Sequence, residues 1–127
     1  MEEYKYRDIT DKFISAAMQV HKVHGSGFNE GQYINLLQKE GNLQFRYLRD
    51  ILMPIYNGDA KIGNQQLHFF IEDAVAVELK AIPKLEDDHI AEAMRNLEAF
   101  NIEVGLLVNF GGENLEFKRL VNTKYKG

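Results

Sequence analysis

Glu78 and Lys80, at the end of the apolar run Ala74-Val75-Ala76-Val77, are the residues of this sequence whose types and spacing best fit chemistry. Alternation along a strand sends Val75, Val77 and Leu79 to one face and Glu78 and Lys80 to the other. Two opposite charges then share one face of a strand that otherwise reads as buried. Buried charge is costly unless it is paired or used. A carboxylate and an ammonium at this spacing can hold a cation and steady a phosphate or an attacking water. The same three-residue pattern also occurs on exposed strand faces, where Glu and Lys make a weak surface pair. The elements around the pair must decide between these readings.

The chain has 127 residues, so one domain spanning 1–127 is the natural count. Hydrophobic residues at 45% and charged residues at 27% fit an ordinary soluble fold with a real core. The absence of cysteine excludes a disulfide framework, a thiolate zinc site and a cysteine nucleophile. The start, Met1-Glu2-Glu3-Tyr4-Lys5, is acidic and unlike a signal peptide, and no apolar run approaches membrane-spanning length. A cytoplasmic protein without a membrane partner is the expectation. Net charge is −4 and unevenly placed: Glu72 to Glu103 holds many acids against Lys80, Lys84 and Arg95, whereas Phe117 to Gly127 holds Lys118, Arg119, Lys124 and Lys126 and no acid. Such a balance weighs against non-specific DNA affinity, which rests on neutralising phosphates. A metal bridging carboxylates to phosphates would keep a nucleic-acid partner open. Neither a protein partner nor a homo-oligomer is indicated.

The positioning elements follow from periodicity. Asp8 to about His24 reads as a helix, with Asp8 or Thr10 as N-cap and Ile9, Phe13, Ala17, Val20 and His24 along one face. Gly25-Ser26-Gly27 stops it. A second helix runs from about Asn29 to Glu40, with Gly41 as its stop. Leu43 to Lys80 reads as strands and turns, the turn signals being Asn57-Gly58-Asp59 and Gly63-Asn64. Glu72-Asp73-Ala74 reads as a hairpin loop between Leu67–Ile71 and Val75–Lys80. Asp87 or Asp88 caps a third helix ending near Phe100, with Ile90, Met94 and Leu97 facing in. Val104–Asn109 and Leu115–Val121 are the last strands. The ends, 1–7 and 122–127, read as flexible. The pattern predicts a single α/β domain. His21 and His24, three apart on the first helix, have spacing that permits joint metal binding, although a helix-end histidine also serves the helix dipole.

Gly27-Phe28-Asn29-Glu30-Gly31-Gln32-Tyr33 fits G-x-x-E-x-x-Y, after the helix end Val20-His21-Lys22-Val23-His24. Val77-Glu78-Leu79-Lys80-Ala81 and Gly105-Leu106-Leu107-Val108-Asn109-Phe110 follow in order. This set resembles the GxxExxY family of small bacterial and archaeal proteins, placed in the PD-(D/E)xK nuclease superfamily, over about Ile9 to Val121. The resemblance implies a restriction-endonuclease-like core, a mixed β-sheet flanked by helices. It also implies metal-dependent hydrolysis of phosphodiesters in DNA, with magnesium or manganese. Carried over by position, Glu30 helps hold the metal or its water, and Glu78 and Lys80 are metal ligand and charge-stabilising cation. Glu30 also fits a first-turn carboxylate favoured by the helix dipole. Tyr33 reaches the same site or packs in the core, and His21 matches a family position near it.

The sequence departs from the family where aspartate is usual, ten residues before the E-x-K glutamate. That position is His68. With a three-residue hairpin loop, His68 is expected directly across from Glu78 on the same face. Imidazole suits a transition metal better than magnesium, which prefers hard oxygen ligands. Glu92 and Asn96 stand where the family often has Gln and Tyr, still sharing a helix edge. Three readings follow. In the first, a nuclease with an unusual metal uses Glu30, His68, Glu78 and Glu92, with Lys80 at the phosphate. In the second, a nuclease fold no longer cleaves and serves as a binding or assembly module. In the third, His68 and Lys80 merely neutralise Glu78 inside the sheet.

Overall fold

The computed structural model describes residues 5–127; the first four residues of the expected N-terminal end lie outside the described residues. Helix α1 (Arg7–His24) turns Phe13, Ile14, Ala17, Val20 and His21 inward at helical spacing. Its N-cap is Tyr6, in the left-handed region at φ 60° and without a side-chain cap. Asp8 and Thr10, the expected caps, lie inside the first turn. The Thr10 hydroxyl donates to the Arg7 carbonyl at 3.1 Å, so it is spent within the helix. Helix α2 (Glu30–Glu40) starts at Asn29 in a capping box: the Asn29 side chain accepts from Gln32 N–H, and the Gln32 side chain accepts from Asn29 N–H, both at 2.9 Å. Gly41 caps its end in a right-handed conformation; the left-handed residue is Asn42, at φ 51°.

Strands β1 (Tyr47–Asn57) and β2 (Ala60–Ile71) form a long antiparallel hairpin closed at the expected Asn57-Gly58-Asp59 turn. Gly63-Asn64, expected as a turn, lies inside β2, opposite Ile55 and Pro54. The chain does not reverse there; the register shifts just beyond, between Ile55 and Tyr56, where Ile62 stands unpaired. The Glu72-Asp73-Ala74 loop leads into β3 (Val75–Lys80), with Glu72 and Asp73 at φ 52° and 53° and Ala74 N–H bonded to the Ile71 carbonyl. Helix α3 (Asp87–Phe100) begins at Glu86 rather than at Asp87 or Asp88; those two acids occupy its first turn, where the dipole favours them. Strands β4 (Val104–Asn109) and β5 (Glu116–Val121) complete one sheet in the order β1-β2-β3-β4-β5. Only the β3–β4 pairing is parallel, so the sheet is mixed.

Each face of the sheet has its own core. On one side α1 and α2 cover Phe69, Ile71, Val75, Val77, Leu79 and Leu106, with Phe13, Tyr33 and Phe110 fully buried among them. On the other, Ala93 and Leu97 of α3 pack on Leu67, Ala76, Leu107 and Leu120. Gly105 lets α3 approach closely, because a Cβ there would lie 2.9 Å from Leu97. The 122–127 segment is hydrogen-bonded to the body: Asn122 donates to the Leu97 and Ile102 carbonyls, and the Asn101 side chain exchanges two bonds with the Lys126 backbone.

Candidate functional site

Alternation along β3 puts Val75, Val77 and Leu79 under α1 and α2 and turns Glu78 and Lys80 toward α3. Glu78 is only 9% exposed. Its Oε1 accepts from Asn96 Nδ2 at 3.1 Å and from Gln65 Nε2 at 3.4 Å. Burial pushes the Glu78 carboxyl above its ordinary value; the Asn96 bond and Lys80 pull it back, while Glu92 and Glu30 push it further. Lys80 Nζ lies 3.5 Å from Glu92 Oε1, one turn before Asn96 on α3. Glu92 and Asn96, expected to share a helix edge, thus divide the E-x-K pair between them.

His68 is held differently from expectation. Continued pairing would set it across from Glu78, but the β2–β3 ladder ends at Phe69↔Val77. The β1–β2 ladder also passes from Arg49↔Phe69 to Ile51↔Leu67 without pairing Asp50, which is left-handed at φ 55°. At this irregularity the His68 ring swings to the end of β3, and its Nδ1 accepts the Leu79 backbone N–H at 2.7 Å. A ring nitrogen that accepts carries no proton, so in the neutral ring the proton sits on Nε2. Nε2 lies 3.7 Å from Glu30 Oε1 at the start of α2, beyond a direct hydrogen bond. Burial lowers the tendency of His68 to protonate; Glu30 and Asp50 act the other way, and Lys80 adds to the lowering.

Tyr33 and His21 serve other ends of the structure. Tyr33 is fully buried, stacks on Phe110 at 4.4 Å and donates its hydroxyl to the Gly25 carbonyl at 2.6 Å. It thereby ties the α1–α2 turn to the core. His21 Nε2 bonds the Gly112 carbonyl at 3.0 Å, joining α1 to the loop after β4. His24 pairs with Glu40 at 2.7 Å rather than with His21. Gln65 and Asp50 were not singled out by sequence. A glutamine carries no signal of its own, whereas Asp50 could have been noticed as a residue type that tolerates left-handed backbone.

The donor set does not fit a metal ion as arranged. Coordination requires a bare lone pair, yet the Nδ1 pair of His68 is engaged by Leu79 and Nε2 bears the proton. Glu78 is a single carboxylate already hydrogen-bonded twice. Among the described residues, no group of three or more His, Cys, Asp or Glu side chains is placed to hold a metal ion.

A mixed five-stranded sheet between helices, with a carboxylate and a lysine two residues apart on its central strand, defines a nuclease-type α/β domain. The chain belongs to the PD-(D/E)XK nuclease superfamily, whose family model matches residues 7–120. No curated protein matches it. Among solved structures it is similar to one titled "Crystal structure of SSO0001", at 13% identity and a TM-score of 0.49, covering 96% of this chain and 80% of that one. Members of this superfamily generally use divalent metals. Among the described residues, no helix is long and apolar enough to cross a membrane.

Proposed function

We propose that this chain is a nuclease-superfamily domain of the GxxExxY kind that does not cleave as built, and that acts as a binding or assembly module on that scaffold. One observation carries the reading: the histidine standing at the usual aspartate spends its Nδ1 on a backbone N–H. The Gly27-x-x-Glu30-x-x-Tyr33 pattern at the start of α2 supports the closer family assignment. Location in a bacterial cytoplasm agrees with the lack of cysteine in this sequence.

A second reading has its own support. Glu30, His68, Glu78, Lys80 and Glu92 lie near enough to act on one another's charge. On this reading the chain is a weakened metal-dependent hydrolase of DNA phosphodiesters. Glu78, His68 and Glu30 would be its ligands for magnesium, manganese or a transition metal, with Glu78, Lys80 and Glu30 catalytic. A cleavage assay on plasmid and single-stranded DNA, with magnesium and manganese in parallel, separates the two. The native protein is expected to be silent and His68→Asp to cleave, with activity abolished by adding Lys80→Ala. Cleavage by the native protein, lost in Lys80→Ala alone, would establish the second reading instead.

A further inference from the structure

Strands β1 and β2 change faces together at one point. Tyr47 and Phe69 pack under α1 and α2, whereas Ile51 and Leu67 pack under α3. Regular alternation would keep residues two or four apart on one face. Both strands therefore turn over between these pairs, at Asp50 on β1 and His68 on β2, the two positions that the β1–β2 ladder skips. Here β2 also stops pairing with β3, and His68 leaves the line that would face Glu78. The irregular backbone belongs to Asp50, left-handed at φ 55°; His68 has no positive φ. Aspartate tolerates that conformation without being confined to it. Its side chain supplies the selection. Asp50 Oδ2 accepts from Arg49 Nε at 2.7 Å, and Oδ1 accepts from Gln66 Nε2 at 3.1 Å, across the hairpin and two residues from His68. Arg49 is fixed in turn, because its Nη1 donates to Asn35 Oδ1 at 3.1 Å and to Gln38 Oε1, both on α2. The Asp50 side chain is 40% exposed, where a lone ion pair would hold little. Bonded on both oxygens, to both strands and through Arg49 to a helix, it belongs to a network instead.

We infer that Asp50 is a positioning residue for His68: pinned between Arg49 and Gln66, its left-handed backbone holds both strands turned over and so keeps the His68 ring on the Leu79 N–H. This rests on the bond behind the proposed function, Leu79 N–H to His68 Nδ1. It adds that the bond is imposed from β1 and, through Arg49, from α2, the helix whose first turn carries Glu30. Released from this clamp, the ring leaves the end of β3 and its Nδ1 lone pair becomes free.

NMR on the full chain labelled with nitrogen-15 tests this through the His68 ring nitrogens and the exchange of the Leu79 amide. In the native protein Nδ1 should be the unprotonated nitrogen, Nε2 the protonated one, and the Leu79 amide protected. Asp50→Gly removes both side-chain bonds at a position where glycine fits the left-handed backbone without strain. It should speed Leu79 exchange about tenfold and return the ring to the tautomer mixture of free histidine. Arg49→Ala leaves Asp50 in place but cuts the tie to α2, and should act in the same direction to a smaller degree. It decides the question if circular dichroism shows Asp50→Gly to be unfolded. The Phe110 amide, bonded to the Lys80 carbonyl at 2.9 Å on the other edge of β3, should exchange as before. Leu79 and Phe110 exchanging faster in step would overturn the inference, as a loss of stability alone. A ring and a Leu79 amide unchanged in both variants would overturn it and leave the proposed function standing. A native ring with its proton on Nδ1 would remove the bond behind that function, and the inference with it.

Discussion

Asn109 and Glu78 are buried polar residues on the neighbouring parallel strands β4 and β3, yet their surroundings treat them in opposite ways. Asn109 is fully buried and uses every hydrogen-bonding position it has. Its Oδ1 accepts from Ile82 N–H at 3.0 Å and Gly111 N–H at 3.1 Å, and its Nδ2 donates to the Ile82 carbonyl at 2.9 Å and to Glu116 Oε1 at 2.8 Å. Glu116 Oε1 also accepts from Leu85 N–H. A neutral amide thereby clamps two loops with nothing left over. Glu78 is a potential anion with two bonds, both on one oxygen, and burial works against its charge. A fully satisfied buried network stabilises and specifies the fold; a partly satisfied one costs stability unless it is used. The first is scaffolding, and the second marks the site proposed above.

The strongest way to break this contrast is to truncate the clamp. Asn109→Ala leaves the Ile82 N–H and carbonyl and the Gly111 N–H without their partner in a packed place. Gly111 cannot move aside easily, since even a Cβ there would lie 2.2 Å from the Ile82 carbonyl oxygen. A loss of about 3 kcal/mol is expected in urea unfolding. A loss below about 1 kcal/mol would mean that water replaces the amide and that the two networks are not different in kind.

Glu78→Gln should do the reverse. The Glu78 carboxyl is raised in the folded protein, so the fold holds a proton that the unfolded chain has released. Stability therefore falls as pH rises from the ordinary carboxylate range through the raised value. Glutamine removes that penalty while its side-chain oxygen still accepts from Asn96. The variant should gain about 1 kcal/mol at pH near 8, with the advantage vanishing below pH of about 4. A loss at both pH values would show that the carboxylate is stabilised by its surroundings. A smaller change is expected at the rim, where Glu92 is half exposed and pairs with Lys80: Glu92→Gln should shift unfolding by less than about 0.5 kcal/mol, at most doubled at low salt.

Much of this arrangement could be read in advance, and the exceptions share a cause. Helices α1, α2 and α3 follow from apolar spacing, and the Asn29–Gln32 box marks a helix start that needs no tertiary help. The run Val75–Lys80 and the three-residue loop before it place Glu78 and Lys80 because strand alternation is local. What failed depends on the backbone departing from regularity. Gly63-Asn64 has turn composition, but pairing with Ile55 and Pro54 holds it in a strand. The distance from His68 to Glu78 along the chain is correct for facing positions, but the ladder stops one pair short and the ring takes a main-chain donor instead. Gln65 reaches Glu78 from the part of β2 beyond that break, where no counting rule extends.

The finest test of the contrast lies in His68 itself. Its ring accepts Leu79 N–H through Nδ1, so protonation must place a second hydrogen against that donor and break the bond. Burial already disfavours the charged ring, and the fold therefore holds fewer protons than the unfolded chain near neutrality. The resulting stability is fully present above the ordinary histidine value of about 6.5 and is lost as pH falls toward the lowered folded value. Followed by NMR, the His68 ring should titrate below about 6.5, with the Leu79 amide shifting at the same midpoint. Glu30 favours the imidazolium, so Glu30→Gln should move both midpoints lower together, while the unfolding midpoint above neutrality stays nearly unchanged. If the ring midpoint moved without the Leu79 amide, Nδ1 would be free in solution, and His68 would regain a lone pair for coordination.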